Sequence, residues 1–259
     1  MKQGSVPGIL LRAVYMTVFY MLTGICVSSA AAMISMEYYQ AHPMLWTFLS
    51  ACITIPFCLI QMKNEGYLAG EGLRKVKQCS VWEWVLLIIL SISSCIALNY
   101  WIAMSGLMGI FQGFDEVAET IYRGSLFEQF LAVILAAPIA EELLFRGLAY
   151  RGFRKLWNQR TAMLVSALFF GIYHRNVVQG LYAFLIGILL IYVYEAFATI
   201  LAPIVFHMAA NAVSVLMTEC LDMSWLTENW IAELVFAGFF TVTGIFAFLL
   251  LQRTRTARC

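Results

Sequence analysis

Two adjacent carboxylates and an arginine lie inside an otherwise apolar run, AAPIAEELLFRG at residues 136–147. Charge inside an apolar membrane helix is costly, and it marks function by default. On a helix, Glu142 and Arg146 are four residues apart and can pair on one face. Glu141 diverges from Glu142 by ~100° around the helix axis. The pattern predicts an ion pair that fixes helix packing, and it leaves Glu141 as a candidate general base.

Two histidines fall inside later apolar runs. Phe170 and His174 are four residues apart, as are His207 and Asn211. A single histidine in a membrane helix commonly hydrogen-bonds to a neighbouring helix. At 1.5 Å per residue, however, Glu141, His174 and His207 each lie ~15–21 Å from the polar end of their helix. Three helices can therefore bring these groups to one level.

These residue types allow two kinds of chemistry. A glutamate and a histidine can activate water for attack on an amide carbonyl, without a serine or cysteine nucleophile. A second histidine and an asparagine can donate hydrogen bonds to the developing oxyanion. The alternative is a divalent metal such as zinc, held by Glu141, His174 and His207 with an open fourth position. The HExxH arrangement is absent, so the sequence favours no metal or other cofactor.

The composition is that of a multi-pass membrane protein. The chain of 259 residues is 62% hydrophobic and 12% charged, with a mean hydropathy of +0.82. Soluble domains carry about 25% charged residues. The net charge of +1 indicates no nucleic-acid partner. The seven cysteines include no CxxC pair, which indicates neither a disulfide framework nor a thiolate metal site.

The apolar runs predict an all-α bundle of about eight transmembrane helices in one domain, residues 1–259, around a polar cavity within the membrane. Each span needs about 20 apolar residues. The predicted spans are 9–33, 45–62, 84–105, 126–150, 161–174, 177–194, 199–217 and 231–251. The first span ends in small residues like a signal peptide, but its length favours a retained span. The connector 106–125 is expected to contain an interfacial amphipathic helix.

Pro138 lies three residues before Glu141. A proline inside a helix cannot donate its backbone hydrogen bond, so it kinks the helix or frees a carbonyl. Membrane helices tolerate this when a neighbouring group binds the freed carbonyl. We therefore expect a kink or a freed carbonyl beside Glu141.

Basic residues predict the orientation. With eight spans and both termini in the cytoplasm, 13 of the 16 lysines and arginines are cytoplasmic. Arg146 then lies in the membrane, and Arg123 and Arg175 lie outside. This asymmetry predicts a cell-membrane protein with both termini cytoplasmic. The cytoplasmic set is Lys2, Arg12, Lys63, Arg74, Lys75, Lys77, Arg151, Arg154, Lys155, Arg160, Arg253, Arg255 and Arg258.

Three motifs resemble those of the CAAX-protease and bacteriocin-processing family of intramembrane proteases, also called the Abi family. That family includes the type II CAAX prenyl endopeptidase. Its EExxxR motif is matched by residues 141–146, its FxxxH motif by 170–174 and its HxxxN motif by 207–211. The three occur in order on separate apolar runs, and the resemblance covers residues 126–217.

The resemblance implies a role for each motif residue. Glu141 and His174 would activate the water, and His207 and Asn211 would form the oxyanion hole. The implied enzyme is a glutamate-type protease rather than a metalloprotease, in a bundle around a water-filled cavity open to the cytoplasm. Three further residues would support the reacting groups without taking part: Glu142, Arg146 and Phe170.

The substrate does not follow from the motifs. Members of the family cleave prenylated CAAX termini, trim leader or signalling peptides, or confer self-immunity to bacteriocins. The implied function is an intramembrane endopeptidase that acts on a peptide or a lipidated, membrane-associated protein. The alternatives are a non-catalytic scaffold or immunity protein that binds a peptide in the bundle, and a small transporter. The intact motif set argues against the first, and the lack of inverted repeats against the second.

Overall fold

The computed structural model describes residues 6–70, 79–111 and 113–256, and within these ranges it contains helices and turns but no β-strand. The predicted all-α class is confirmed. In chain order the helices are α1 (Val6–Ile34), α2 (Met36–Ala41), α3 (Pro43–Asn64), α4 (Val81–Met104), α5 (Leu107–Ile110), α6 (Phe114–Tyr122), α7 (126–154), α8 (Gln159–Tyr173), α9 (Val177–Phe197), α10 (Leu201–Glu219), α11 (Ser224–Thr227) and α12 (Trp230–Thr256).

The eight predicted apolar runs correspond to the eight longest helices of the described ranges. Six of them, α1, α3, α4, α9, α10 and α12, are long and apolar enough to cross a membrane. This is fewer than the eight expected. Helix α8 has 15 residues, so at 1.5 Å per residue it is ~22 Å long, shorter than the ~30 Å hydrocarbon core. Helix α7 carries the charged motif and two irregular stretches.

Helix α7 contains two π-helical stretches, Phe130–Ala136 and Leu143–Tyr150, on either side of the α-helical segment Ala137–Glu142. π-Helical stretches are rare in proteins, but those that occur are often found at functional sites. Pro138 cannot donate to the carbonyl of Val133, five residues earlier, as π-helical bonding would require. Asn211 Nδ2 on α10 donates to that carbonyl instead, at 2.8 Å. The expected freed carbonyl is therefore present, and the structure shows that its partner comes from α10.

Helices α8 and α9 approach each other at two glycines. A Cβ atom added at Gly171 would lie 2.7 Å from the Gly180 carbonyl oxygen, and one at Gly180 would lie 2.9 Å from that of Gly171. Small residues allow such close helix packing within membranes. This contact sets the position of the end of α8, where His174 follows.

We expect Gly171→Ala to push α8 and α9 apart, because the new methyl group meets backbone. Overpacking of this kind costs about 1–3 kcal/mol. The midpoint of heat-induced unfolding in detergent should fall. The matched control is Gly238→Ala on α12, where an added Cβ meets no atom within 4 Å. Equal midpoints for the two variants would contradict this account of the α8–α9 contact.

Basic residues collect at one end of the bundle, which we call the basic end. Arg12 on α1 and Lys155 after α7 both pair with Glu65, Lys155 at 3.4 Å. Arg154 pairs with Glu195 near the end of α9, at 3.5 Å. Ion pairs between different helices therefore tie this end together. Five residues assigned to the cytoplasmic side from the sequence lie outside the described residues: Lys2, Arg74, Lys75, Lys77 and Arg258.

Candidate active site

A cavity of about 790 Å³ lies in the half of the bundle away from the basic end. Its walls come from the last halves of α1, α8 and α10, the end of α4, and the first halves of α3, α7 and α9. Where one of these helices carries a lysine or arginine, that residue lies outside the half that lines the cavity. The cavity is lined by Glu141, Phe170, His174, His207 and Asn211. The structure thus brings the polar residues of all three motifs to one space.

The position of the cavity brings two expectations from the sequence into conflict. The basic residues predict cytoplasmic termini, whereas the resemblance implies a cavity open to the cytoplasm. The cavity lies away from the basic end, although one basic residue, Arg175, is in its lining. The two expectations therefore cannot both be correct for this chain.

The predicted pair of Glu142 and Arg146 is present and fully buried. Arg146 Nη1 lies 2.8 Å from Glu142 Oε1, and both residues have 0% relative exposure. The guanidinium carbon lies 4.3 Å from the centre of the Phe170 ring, and Nη2 lies 3.5 Å from the carbonyl oxygen of Gly187. A cation over an aromatic face is attracted electrostatically, most strongly where water is excluded. Arg146 therefore joins α7 to α8 and α9.

His207 joins the same network from α10. Its Nδ1 lies 2.8 Å from Glu142 Oε1, and its Nε2 lies 3.9 Å from Glu141 Oε2. A carboxylate only accepts, so the proton of this bond is on Nδ1. Glu142 thereby fixes the ring and directs Nε2 toward Glu141 and the cavity. The sequence interpretation missed this role of Glu142, because a contact between residues 65 apart depends on how two helices rotate and leaves no periodic signal.

His174 is oriented by its own helix. Its Nδ1 lies 2.9 Å from the carbonyl oxygen of Phe170, so Nδ1 carries the proton. In the neutral ring, Nε2 is then an acceptor on the cavity side. The Phe170 ring touches both imidazoles, with centroid distances of 4.8 Å to His174 and 6.0 Å to His207. Phe170 therefore sets the spacing of the two histidines and also covers Arg146.

Glu141 is the carboxylate that faces the cavity. Its side chain is 12% exposed, and it makes no hydrogen bond with the rest of the described chain. Tyr20 and Tyr173 line the same cavity, with ring centroids 5.7 Å apart in a stacked arrangement. Tyr20 comes from α1, outside the motif region, and no motif or spacing pointed to it. The predicted division between a paired Glu142 and a separate Glu141 matches this geometry.

The zinc alternative concerns Glu141, His174 and His207. In the ranges that the structure describes, no three His, Cys, Asp or Glu side chains form a group able to hold a metal ion. Nε2 of His207 lies 3.9 Å from Glu141 Oε2. Each histidine uses its Nδ1 for a hydrogen bond, His207 to Glu142 and His174 to the Phe170 carbonyl, which leaves Nε2 as the nitrogen that a water or a metal ion would meet.

One family profile matches part of the chain. Residues 123–213 match the sequence profile of the family described as "Type II CAAX prenyl endopeptidase Rce1-like". Searches of curated proteins and of solved structures gave no match. The matched region runs from the start of α7 into α10 and contains all three motifs. This match relates the chain to the CAAX-protease and bacteriocin-processing family of intramembrane proteases, with a multi-pass membrane protein as its setting.

Proposed function

We propose that this protein is an intramembrane endopeptidase in which Glu141 and His174 activate a water molecule. One observation carries the proposal. Among the described residues, Glu141 has no hydrogen-bond partner for its carboxylate and His174 keeps Nε2 as an acceptor, and both side chains line one cavity. A carboxylate and an imidazole in such a place can bind a water and remove its proton. The family match supports a protease of the CAAX type at the level of the family.

In the proposed reaction, the water oxygen bonds to the carbonyl carbon of the scissile peptide while its proton passes to Glu141. The carbonyl oxygen becomes an oxyanion, to which His207 and Asn211 donate hydrogen bonds. His207 donates from Nε2 when both ring nitrogens carry a proton, and the Glu142 carboxylate 2.8 Å from Nδ1 offsets that charge. The C–N bond then breaks, and Glu141 passes the proton to the leaving nitrogen, giving a carboxylic acid and an amine, which ionise in water to a carboxylate and an ammonium group.

Incubation of the purified protein with a peptide library, read by mass spectrometry, tests the function. Wild-type protein should release defined fragments, each with a new carboxyl and a new amino terminus. Glu141→Gln protein should release none of them. Cleavage that is equal in the two samples would assign it to a contaminating protease and overturn the proposal.

The mechanism predicts that activity survives removal of metal. Because the proposed proton acceptors are Glu141 and His174, a protein freed of metal by a chelator should keep its wild-type turnover. Metal analysis of the purified protein should accompany the assay. A stoichiometric zinc whose removal abolishes cleavage, and whose return restores it, would make the same residues ligands and overturn the glutamate-type mechanism.

Asn211 has two roles in this proposal, and a pair of substitutions separates them. Asn211→Ala leaves the Val133 carbonyl without its partner, which costs about 1–3 kcal/mol of stability. It also removes a donor to the oxyanion, worth about 2.7–4 kcal/mol in the transition state. Adding Pro138→Ala supplies a backbone N–H for the freed carbonyl. The double variant should therefore regain stability over Asn211→Ala but stay as inactive.

The measurements are the unfolding midpoint in detergent and the cleavage rate per folded molecule. Pro138→Ala alone is the control, and it should keep most of the activity. Recovery of both stability and rate in the double variant would show that Asn211 serves only the backbone of α7.

A further inference from the structure

The end of the bundle that holds the cavity is acidic. Its exposed or half-buried carboxylates outnumber the basic residues, which in the described ranges are Arg123 and Arg175. The opposite end carries the interhelical pairs of Arg12, Arg154 and Lys155 described above. The charge of the molecule is therefore divided between its two ends. The carboxylates at this acidic end are Glu37, Glu116, Glu119, Glu128, Glu219, Asp222, Glu228 and Glu233.

Helix α6 lies against the cavity at the acidic end. Val117, Ala118, Ile121 and Tyr122 line the cavity, and Glu116 and Glu119 of the same helix are exposed. The amphipathic helix expected in this connector is present, and its apolar face borders the cavity. A negatively charged surface thus lies beside this wall of the cavity.

Lysines and arginines near the ends of membrane helices are retained on the cytoplasmic side. By this rule the basic end faces the cytoplasm. The cavity, with Glu141 and His174, then lies toward the opposite side of the membrane. A prenylated protein in the cytoplasm would meet the basic end and would have no direct path to these residues.

We propose that the site takes its substrate from the non-cytoplasmic side of the membrane, and that this substrate is a cationic peptide segment. The inference rests on the proposed function and specifies its substrate. The summed charge of a protein surface creates a field that attracts ligands of the opposite sign and speeds their association. The acidic end supplies such a field beside the cavity. It would also retain the basic half of a peptide while the scissile bond enters the apolar walls.

Cysteine labelling shows which side of the membrane the acidic end faces, independently of catalysis. Cys220 is exposed and follows α10 at the acidic end. One variant keeps Cys220 and has its other cysteines replaced by alanine. Its matched control also carries Cys220→Ala and has Arg160→Cys at the exposed start of α8, at the basic end. A membrane-impermeant maleimide added to intact cells should label the first variant, and the control only after permeabilisation. The reverse pattern would overturn the proposal.

Cleavage tests the substrate. An impermeant, quenched fluorogenic cationic peptide is added to intact cells that express wild-type or Glu141→Gln protein, and to the same cells after permeabilisation. Cleavage by intact wild-type cells, and none by intact Glu141→Gln cells, supports the proposal. Cleavage only after permeabilisation would overturn the side while leaving the protease function intact. If neither intact nor permeabilised cells cleave the peptide, the proposal of a cationic substrate is overturned. The peptide-library assay then decides whether the protein is a protease.

The contribution of charge is measured on purified protein with two peptides that share a scissile sequence, one cationic and one neutral. The combined change Glu116→Gln and Glu119→Gln should lower kcat/KM for the cationic peptide roughly tenfold, and added salt should do the same to the wild type. The neutral peptide should be unaffected by either. An equal fall for both peptides would show that α6 acts through structure and not through charge.

Discussion

Glu141→Gln should abolish cleavage while leaving the protein folded. Glutamine keeps the volume of the side chain but cannot take the proton of the attacking water. Loss of a general base typically costs ~10²–10⁴ in rate. The side chain forms no hydrogen bond with the described residues, so its amide disturbs no internal contact. Turnover of a cleaved peptide, normalised to folded protein, measures the effect.

His174→Ala should resemble Glu141→Gln in rate, since the two groups share the water. The unfolding midpoint in detergent and the elution volume in size-exclusion chromatography serve as controls for folding. Glu141→Gln should match the wild type in both. If Glu141→Gln kept wild-type specific activity while Glu142→Gln lost it, the roles of the two carboxylates would be reversed.

Glu142→Gln should instead destabilise the protein. The substitution leaves Arg146 as an uncompensated charge among residues with no access to solvent. Breaking a buried pair by removing one partner costs about 3–5 kcal/mol. The expected result is poor accumulation in the membrane and a lower unfolding midpoint. The glutamine can still accept from His207 Nδ1, so the folded fraction should keep part of its activity.

A double variant, Glu142→Leu with Arg146→Met, separates stability from catalysis. Removing both charges should restore stability relative to either single change, since replacing a buried pair by apolar side chains is often neutral or stabilising. Activity should not return, because His207 loses the acceptor that orients its ring. Recovery of full cleavage would show that the Glu142–His207 contact has no role in the reaction.

The positions of the long helices could be predicted from the sequence because apolar length is a local property. The predicted run 45–62, for example, appears as α3, Pro43–Asn64. The Glu142–Arg146 pair could also be predicted, since both residues are on one helix and its period fixes their spacing. Pro138 was expected to free a carbonyl that a neighbouring group would bind, but that this group is Asn211, bonded to the Val133 carbonyl, could not be predicted.

Contacts between helices could not be predicted in the same way. The approach of His207 to Glu142, and the contribution of Tyr20 to the cavity, depend on the rotation and tilt of each helix. Periodicity says which face of a helix is apolar, and nearly every face is apolar in a membrane bundle. The side on which the cavity lies likewise emerges only when the halves of seven helices are seen together.

The placement of the counter-charge of Arg146 on its own helix also has a consequence for synthesis. Each ionised side chain at the centre of a membrane helix costs about 2.5–3.5 kcal/mol on insertion. Glu142 neutralises Arg146 within α7, so this charge is compensated as soon as the helix forms. His207 follows 65 residues after Glu142, which at ~5–20 residues per second is several seconds later. The pair therefore lets α7 enter the bilayer before α10 exists, and the histidine completes the network only when the last motif arrives.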